Sequence, residues 1–86
     1  MKDIPQTIFL ATGSNQGNSF DLLQTCNRLI NANVGAITKE SPIYLTKAWG
    51  KTDQPDFLNQ VLQVQTVFTP KLVFKKIQQI EKQMGR

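Results

Sequence analysis

Apolar residues recur along the 86-residue chain with two different periods, which divide it into predicted elements. A helix repeats its buried face every 3.6 residues, and a strand repeats it every two residues. Residues 7–12 are instead apolar on both faces, which predicts an interior strand buried on two sides. The pattern predicts strands at 7–12, 36–46 and 57–68, and helices at 19–32 and 70–84.

Capping residues support the first predicted helix. Asn18 or Ser19 can act as its N-cap, and Asp21 places a negative charge in the first turn, where it suits the helix dipole. Asn31, Asn33 and Gly35 are predicted to end this helix, and Gly35 is able to take a left-handed conformation there. The buried stripe is predicted from Leu22, Cys26, Leu29 and Ile30, with Leu23 beside it, so Cys26 is interpreted as a core residue rather than a nucleophile.

The second predicted helix has clear start and stop signals. Thr69 is suited to the N-cap, Pro70 to the first helical position, and Gly85 to the C-cap. Its buried stripe is predicted to contain Val73, Ile77, Ile80 and Met84. Amphipathicity of this kind predicts a helix that packs on one face of a sheet.

The predicted order β-α-β-β-α indicates an α+β fold: a ferredoxin-like unit with an antiparallel sheet that lacks its final strand. Pro42 cannot donate to a ladder, so the second strand should lie at an edge or carry a bulge. In the third strand the even positions are the more apolar, so the odd positions should form the open face. We therefore expect residues 1–86 to be one truncated domain, with the edge of the first strand exposed.

The most informative stretch is 44–59, a turn-rich loop that feeds the third strand. Phe57 and Asn59 are two residues apart and should share the open face. With Trp49 in the loop, they provide aromatic surface and a side-chain amide, which suits a flat, hydrogen-bonding heterocycle. The alternative is that Trp49 folds onto the core, Phe57 is a core residue and Asn59 ends a turn.

Composition limits the chemistry of the chain. With no histidine and one cysteine, the 86 residues exclude a zinc site of the usual kind and a histidine-activated nucleophile. A single cysteine, no signal-peptide pattern and no apolar run near the ~20 residues of a membrane span predict a cytoplasmic protein. The net charge of +4 favours an anionic partner, either a nucleotide or a nucleic acid.

Two functions therefore remain open from the residues alone. A small RNA-binding module would stack bases on Phe9 and Phe57, which makes a thin platform. An interaction domain without chemistry would need no site at all. Gly13-Ser14-Asn15 lies between a strand and a helix, as a phosphate loop would, but it matches neither phosphate-loop motif, and a turn with a helix cap explains the run better.

Several segments, in order and spacing, resemble one enzyme family. They are Ala11-Thr12-Gly13-Ser14-Asn15, Tyr44-Leu45-Thr46, Asp53-Gln54-Pro55-Asp56-Phe57-Leu58-Asn59 and Ile80-Glu81-Lys82-Gln83-Met84-Gly85-Arg86. Together they resemble the N-terminal half of 6-hydroxymethyl-7,8-dihydropterin pyrophosphokinases of folate biosynthesis. The resemblance implies transfer of a pyrophosphoryl group from ATP to the hydroxymethyl group of the pterin, with two Mg²⁺ ions.

The resemblance also implies roles for particular residues. Phe57 would stack on the pterin and Asn59 would hydrogen-bond its edge, and the other pocket residues would line the site. The implied pterin-binding residues are Gly13, Thr46, Ala48, Trp49, Phe57 and Asn59, and the implied nucleotide-binding residues are Gln78, Glu81 and Arg86.

Two departures from the family pattern matter. Lys47-Ala48 stands where the family often has a proline after the threonine, and the 86 residues contain no Asp-x-Asp pair to hold Mg²⁺. We therefore expect no catalytic or metal-binding residue in this chain, no transfer activity and at most weak pterin binding. Nucleic acid and membrane are not expected partners. The exposed edge of the first strand predicts a homodimer.

Overall fold

The computed structural model describes residues 4–15, 18–47 and 56–85. The elements form the order β-α-β-β-β-α, which is consistent with the predicted α+β ferredoxin-like fold. The predicted second strand is split in two around Pro42. The elements are β1 (Gln6–Ser14), α1 (Ser19–Asn33), β2 (Ala36–Glu40), β3 (Tyr44–Thr46), β4 (Phe57–Thr66) and α2 (Pro70–Gln83).

The sheet is antiparallel and is organised around β4. β4 pairs with β1 on one side and with both β2 and β3 on the other. The predicted edge position of the second strand is confirmed, and the strand also shifts register by one residue around Pro42, since the last pair of β2 is Glu40 with Leu62 and the first pair of β3 is Tyr44 with Asn59. Within the described ranges β1 pairs with no strand other than β4, so it is an edge strand of the sheet.

Alternation along β4 separates a helix-covered face from an open face. The buried positions of β4 are Gln60, Leu62, Val64 and Thr66, the even positions predicted to meet the helices. Leu62 and Val64 are fully buried in a core cluster that both helices supply, with Ile30 and Val34 from the α1 end and Val73 and Ile80 from α2. The odd positions of β4 therefore face away from the helices.

The prediction that β1 is buried on two sides is wrong. Phe9 is 68% exposed, and Thr7 and Ala11 are exposed as well. Ile8 and Leu10, on the helix side, pack against the core. Both helices cover the same face of the sheet, so the apolar residues on the other face of β1 stay accessible to solvent.

Two details at the ends of α1 also differ from expectation. Asn18 is the N-cap residue, but its side chain makes no capping hydrogen bond. Gly35 does not use its capacity for a left-handed conformation; Gly85 is the residue with positive φ among those described. A Cβ at Gly35 would overlap the carbonyl oxygen of Gln65, so glycine is needed there for close packing on β4.

The predicted cap of α2 is confirmed. The Thr69 side chain accepts a hydrogen bond from the Leu72 backbone amide at 3.3 Å, and Pro70 begins the helix. Gly85, with φ of 83°, follows the last turn. The buried stripe of α1 is shifted slightly from the predicted one, since Leu23 is buried while Cys26 is only half-buried against the core.

Among the described helices, none has the length and apolar character needed to cross a membrane.

Candidate functional site

Four of the predicted pterin-binding residues lie together at one end of the open face. Gly13 of β1 lies opposite Asn59 of β4, and Thr46 of β3 lies opposite Phe57 of β4. Opposite residues in antiparallel strands project from the same face of the sheet. Because Phe57 and Asn59 occupy odd positions of β4, this cluster lies on the face that the helices leave open.

The carboxamide of Asn59 is held from two sides. Its Nδ2 donates a hydrogen bond of 2.6 Å to Thr46 Oγ1. On the other side, a Cβ built at Gly13 would lie only 2.7 Å from Asn59 Oδ1. The absence of a side chain at Gly13 therefore provides the space that the Asn59 carbonyl occupies. After the bond to Thr46, the amide group still has a second N–H and a carbonyl oxygen with which to bind a planar ligand.

Two aromatic residues border this amide. Phe57 is half-buried at the start of β4. Tyr44 lies directly opposite Asn59 and is 54% exposed. It is not one of the site residues predicted from the sequence. Its position two residues before Thr46 was the available signal, since alternate residues of a strand share a face. The arrangement joins aromatic surface to a fixed hydrogen-bonding group.

The remaining predicted pterin residues, Ala48 and Trp49, lie outside the described residues, and so does Arg86 of the nucleotide group. Gln78 and Glu81 are exposed on α2. Glu81 lines a cavity of about 90 Å³ between β1, α1 and α2, and Gly13 lines the same cavity. Gln78 is not among the residues that line it. Gly13 is thus the residue shared by the amide cluster and this cavity.

Magnesium would need a set of oxygen ligands. Within residues 4–15, 18–47 and 56–85, no three His, Cys, Asp or Glu side chains are close enough to hold a metal ion. The described part of the chain therefore offers no such cluster of ligands for a metal ion.

Comparison with known proteins identifies relatives over nearly the whole chain. Residues 9–86 match the family model described as 7,8-dihydro-6-hydroxymethylpterin-pyrophosphokinase. A 2-amino-4-hydroxy-6-hydroxymethyldihydropteridine pyrophosphokinase from Aquifex aeolicus is 37% identical over 81 residues, covering 93% of this chain and 49% of that protein. The protein with the same name from Bacillus subtilis is 34% identical over 79 residues, covering 91% of this chain and 47% of that protein.

A longer eukaryotic relative shows the same similarity. The folic acid synthesis protein fol1 of Schizosaccharomyces pombe is 35% identical over 79 residues, which cover 91% of this chain and 11% of that protein. The chain spans about half the length of the bacterial relatives. On the family match over residues 9–86, the chain belongs to the 7,8-dihydro-6-hydroxymethylpterin-pyrophosphokinase family.

Proposed function

We propose that residues 1–86 are the N-terminal portion of a pyrophosphokinase domain and carry the part that recognises the pterin. The supporting observation is the cluster of Gly13, Thr46 and Asn59, in which the Asn59 amide is held at 2.6 Å from Thr46 Oγ1. The whole enzyme would transfer pyrophosphate from ATP to 6-hydroxymethyl-7,8-dihydropterin for folate biosynthesis, with Mg²⁺ bound by residues outside this chain.

Each residue of the cluster has a proposed task. The Phe57 ring stacks on the flat pterin, and Asn59 exchanges donor and acceptor bonds with its polar edge. Gly13 allows the Asn59 carbonyl to sit close to β1. In the same proposal Ala48 and Trp49 line the pocket, while Gln78, Glu81 and Arg86 face the nucleotide.

By itself this chain is proposed to be inactive. Pyrophosphoryl transfer depends on positioning and on neutralising the charge of the phosphates. The 86 residues contain no Asp-x-Asp pair for that purpose. Incubation with ATP, Mg²⁺ and the dihydropterin should therefore give no diphosphorylated product, and product formed by the pure chain would refute inactivity.

Pterin recognition is tested by titrating the chain with 6-hydroxymethylpterin, followed by fluorescence or by NMR. Asn59→Ala should weaken binding by about tenfold, because it leaves polar atoms of the ligand unpaired. Gln63→Ala is the matched control, since Gln63 lies on the same face of β4 but pairs with Thr38. Binding that is absent in the parent chain, or equal in both variants, would contradict the proposal.

Single-stranded RNA provides a second arm of this experiment. RNA binding should be weak and salt-sensitive if the positive charge alone drives it, and RNA binding without pterin binding would favour the alternative module. We also propose a cytoplasmic location, since a chain with a single cysteine suits a reducing compartment. We further propose a homodimer in which two copies of the chain pair along the edge of β1.

A further inference from the structure

The break between β2 and β3 contains one extra residue. Ser41 pairs with Val61, because the Ser41 amide donates to the Val61 carbonyl at 2.9 Å. The next pair is Tyr44 with Asn59. The chain therefore advances three residues on one strand while β4 advances two, which is the count of a β-bulge.

This extra residue decides which face Thr46 occupies. A one-residue change in register moves every following side chain to the opposite face of a sheet. Without the bulge Thr46 would be opposite Asp56, on the helix side, and away from Asn59. The bulge is thus the reason that Thr46 reaches the Asn59 amide.

Side chains replace the backbone bonds that the bulge disrupts. The Val61 amide donates to Ser41 Oγ at 2.9 Å, so the hydroxyl takes the position of the Ser41 carbonyl in the ladder. The displaced Ser41 carbonyl accepts a bond of 2.9 Å from Gln60 Nε2. Gln60 is 7% exposed, and its Oε1 accepts from Asn27 Nδ2 of α1 at 2.8 Å.

We propose that Gln60 is a positioning residue for the pterin pocket, acting through the Ser41 bulge on Thr46. Its buried carboxamide accepts from Asn27 and donates to the Ser41 carbonyl, which the bulge has displaced from the ladder. Pro42 follows directly and has no N–H to offer. This inference rests on the proposed function for the identity of the ligand. The register of β3 against β4 can be measured without any ligand.

The test uses Gln60→Met in the 86-residue chain, a change that keeps side-chain length and removes both hydrogen bonds. We expect exchange of the Val61 amide to become about tenfold faster. The cross-strand nuclear Overhauser effect between Tyr44 and Asn59 should weaken, and pterin affinity should fall although Asn59 is intact. A purely structural role would lower thermal stability and leave that cross-strand signal unchanged.

Gln63→Met is the matched control, because Gln63 lies on the open face of the same strand. It should leave the Tyr44–Asn59 signal as in the parent chain. If Gln60→Met does not fold, Ser41→Ala tests the same bulge by removing only the hydroxyl that accepts from Val61. A folded variant with parental exchange at Val61 and a parental Tyr44–Asn59 signal overturns the proposal. If the parent chain binds no pterin, the proposed function is refuted. The effect of Gln60 on the strand register can still be decided from the Val61 exchange and the Tyr44–Asn59 signal.

Discussion

Gly13 and Asn59 are close neighbours because Gly13 has no side chain to occupy the space of the Asn59 amide. The nearest atoms to a Cβ at Gly13 are Asn59 Oδ1 at 2.7 Å and the Leu58 carbonyl oxygen at 3.3 Å. The first is the end of a side chain that can rotate away, while the second belongs to backbone. An added methyl group would therefore displace the amide before it disturbed the sheet.

Gly13→Ala should accordingly reduce pterin affinity by about tenfold through loss of the ligand's hydrogen bonds to Asn59. Its effect on the free energy of unfolding should be about 1 kcal/mol or less, since the displaced group is flexible. A double-mutant cycle with Asn59→Ala measures the coupling. If Gly13→Ala weakens binding equally when residue 59 is already alanine, the contact with Asn59 is not the cause.

For single residues, the sequence predicted the face of the sheet on which a side chain lies better than it predicted the residues that the side chain contacts on other strands. The two-residue alternation of β4 was sufficient to place Phe57 and Asn59 on the open face. The contact between Gly13 and Asn59 depends on the register of β1 against β4, which no local pattern contains. Tyr44 was missed for a related reason, because its place opposite Asn59 follows from a bulge in the preceding segment.

Among the elements, α1 and α2 were the most predictable, because caps and buried stripes are local features. The second strand was less predictable: Pro42 indicated an edge or a bulge, and the structure has both, with one extra residue between the pairs that Ser41 and Tyr44 make with β4. Gly35 illustrates a different error. Its position after a helix is typical of a left-handed cap, but the close approach of β4 is what excludes a side chain there.

Gly35→Ala should therefore destabilise the fold severely. A Cβ at this position would overlap the Gln65 carbonyl oxygen and lie 2.9 Å from the carbonyl carbon, and backbone of a central strand cannot move aside easily. We expect a loss of about 3 kcal/mol in the free energy of unfolding, measured by urea denaturation. Gly85→Ala is the control, since no atom of the described residues that could clash lies within 4 Å of its Cβ position, and its φ of 83° is what opposes alanine.

The control variant should cost about 1 kcal/mol, the usual penalty for alanine in a left-handed conformation. The comparison separates steric overlap from backbone preference at two glycines that each follow a helix. A loss at Gly35 no larger than the loss at Gly85 would show that the chain between α1 and β2 adjusts to the methyl group.

For the molecule as a whole, the position of β1 at the edge of the sheet bears on whether two copies of the chain associate. β1 spans nine residues and carries no charged side chain. Natural edge strands are usually protected by charges, prolines or covering elements, and β1 has none of the first two. We therefore expect a second copy of the chain to pair along this edge, giving about twice the monomer mass of 9.7 kDa in light scattering.

Phe9→Lys should shift this equilibrium towards the monomer, because it places a charge in the middle of β1 where two copies would meet. Phe9 is 68% exposed, so the substitution should leave the core intact. Phe74→Lys makes the same chemical change on α2, at a residue that is 63% exposed and distant from β1 in sequence. The dimer should persist in that variant. A parent chain that stays monomeric over a wide concentration range would rule out edge pairing, and equal dissociation in both variants would assign the dimer to another surface.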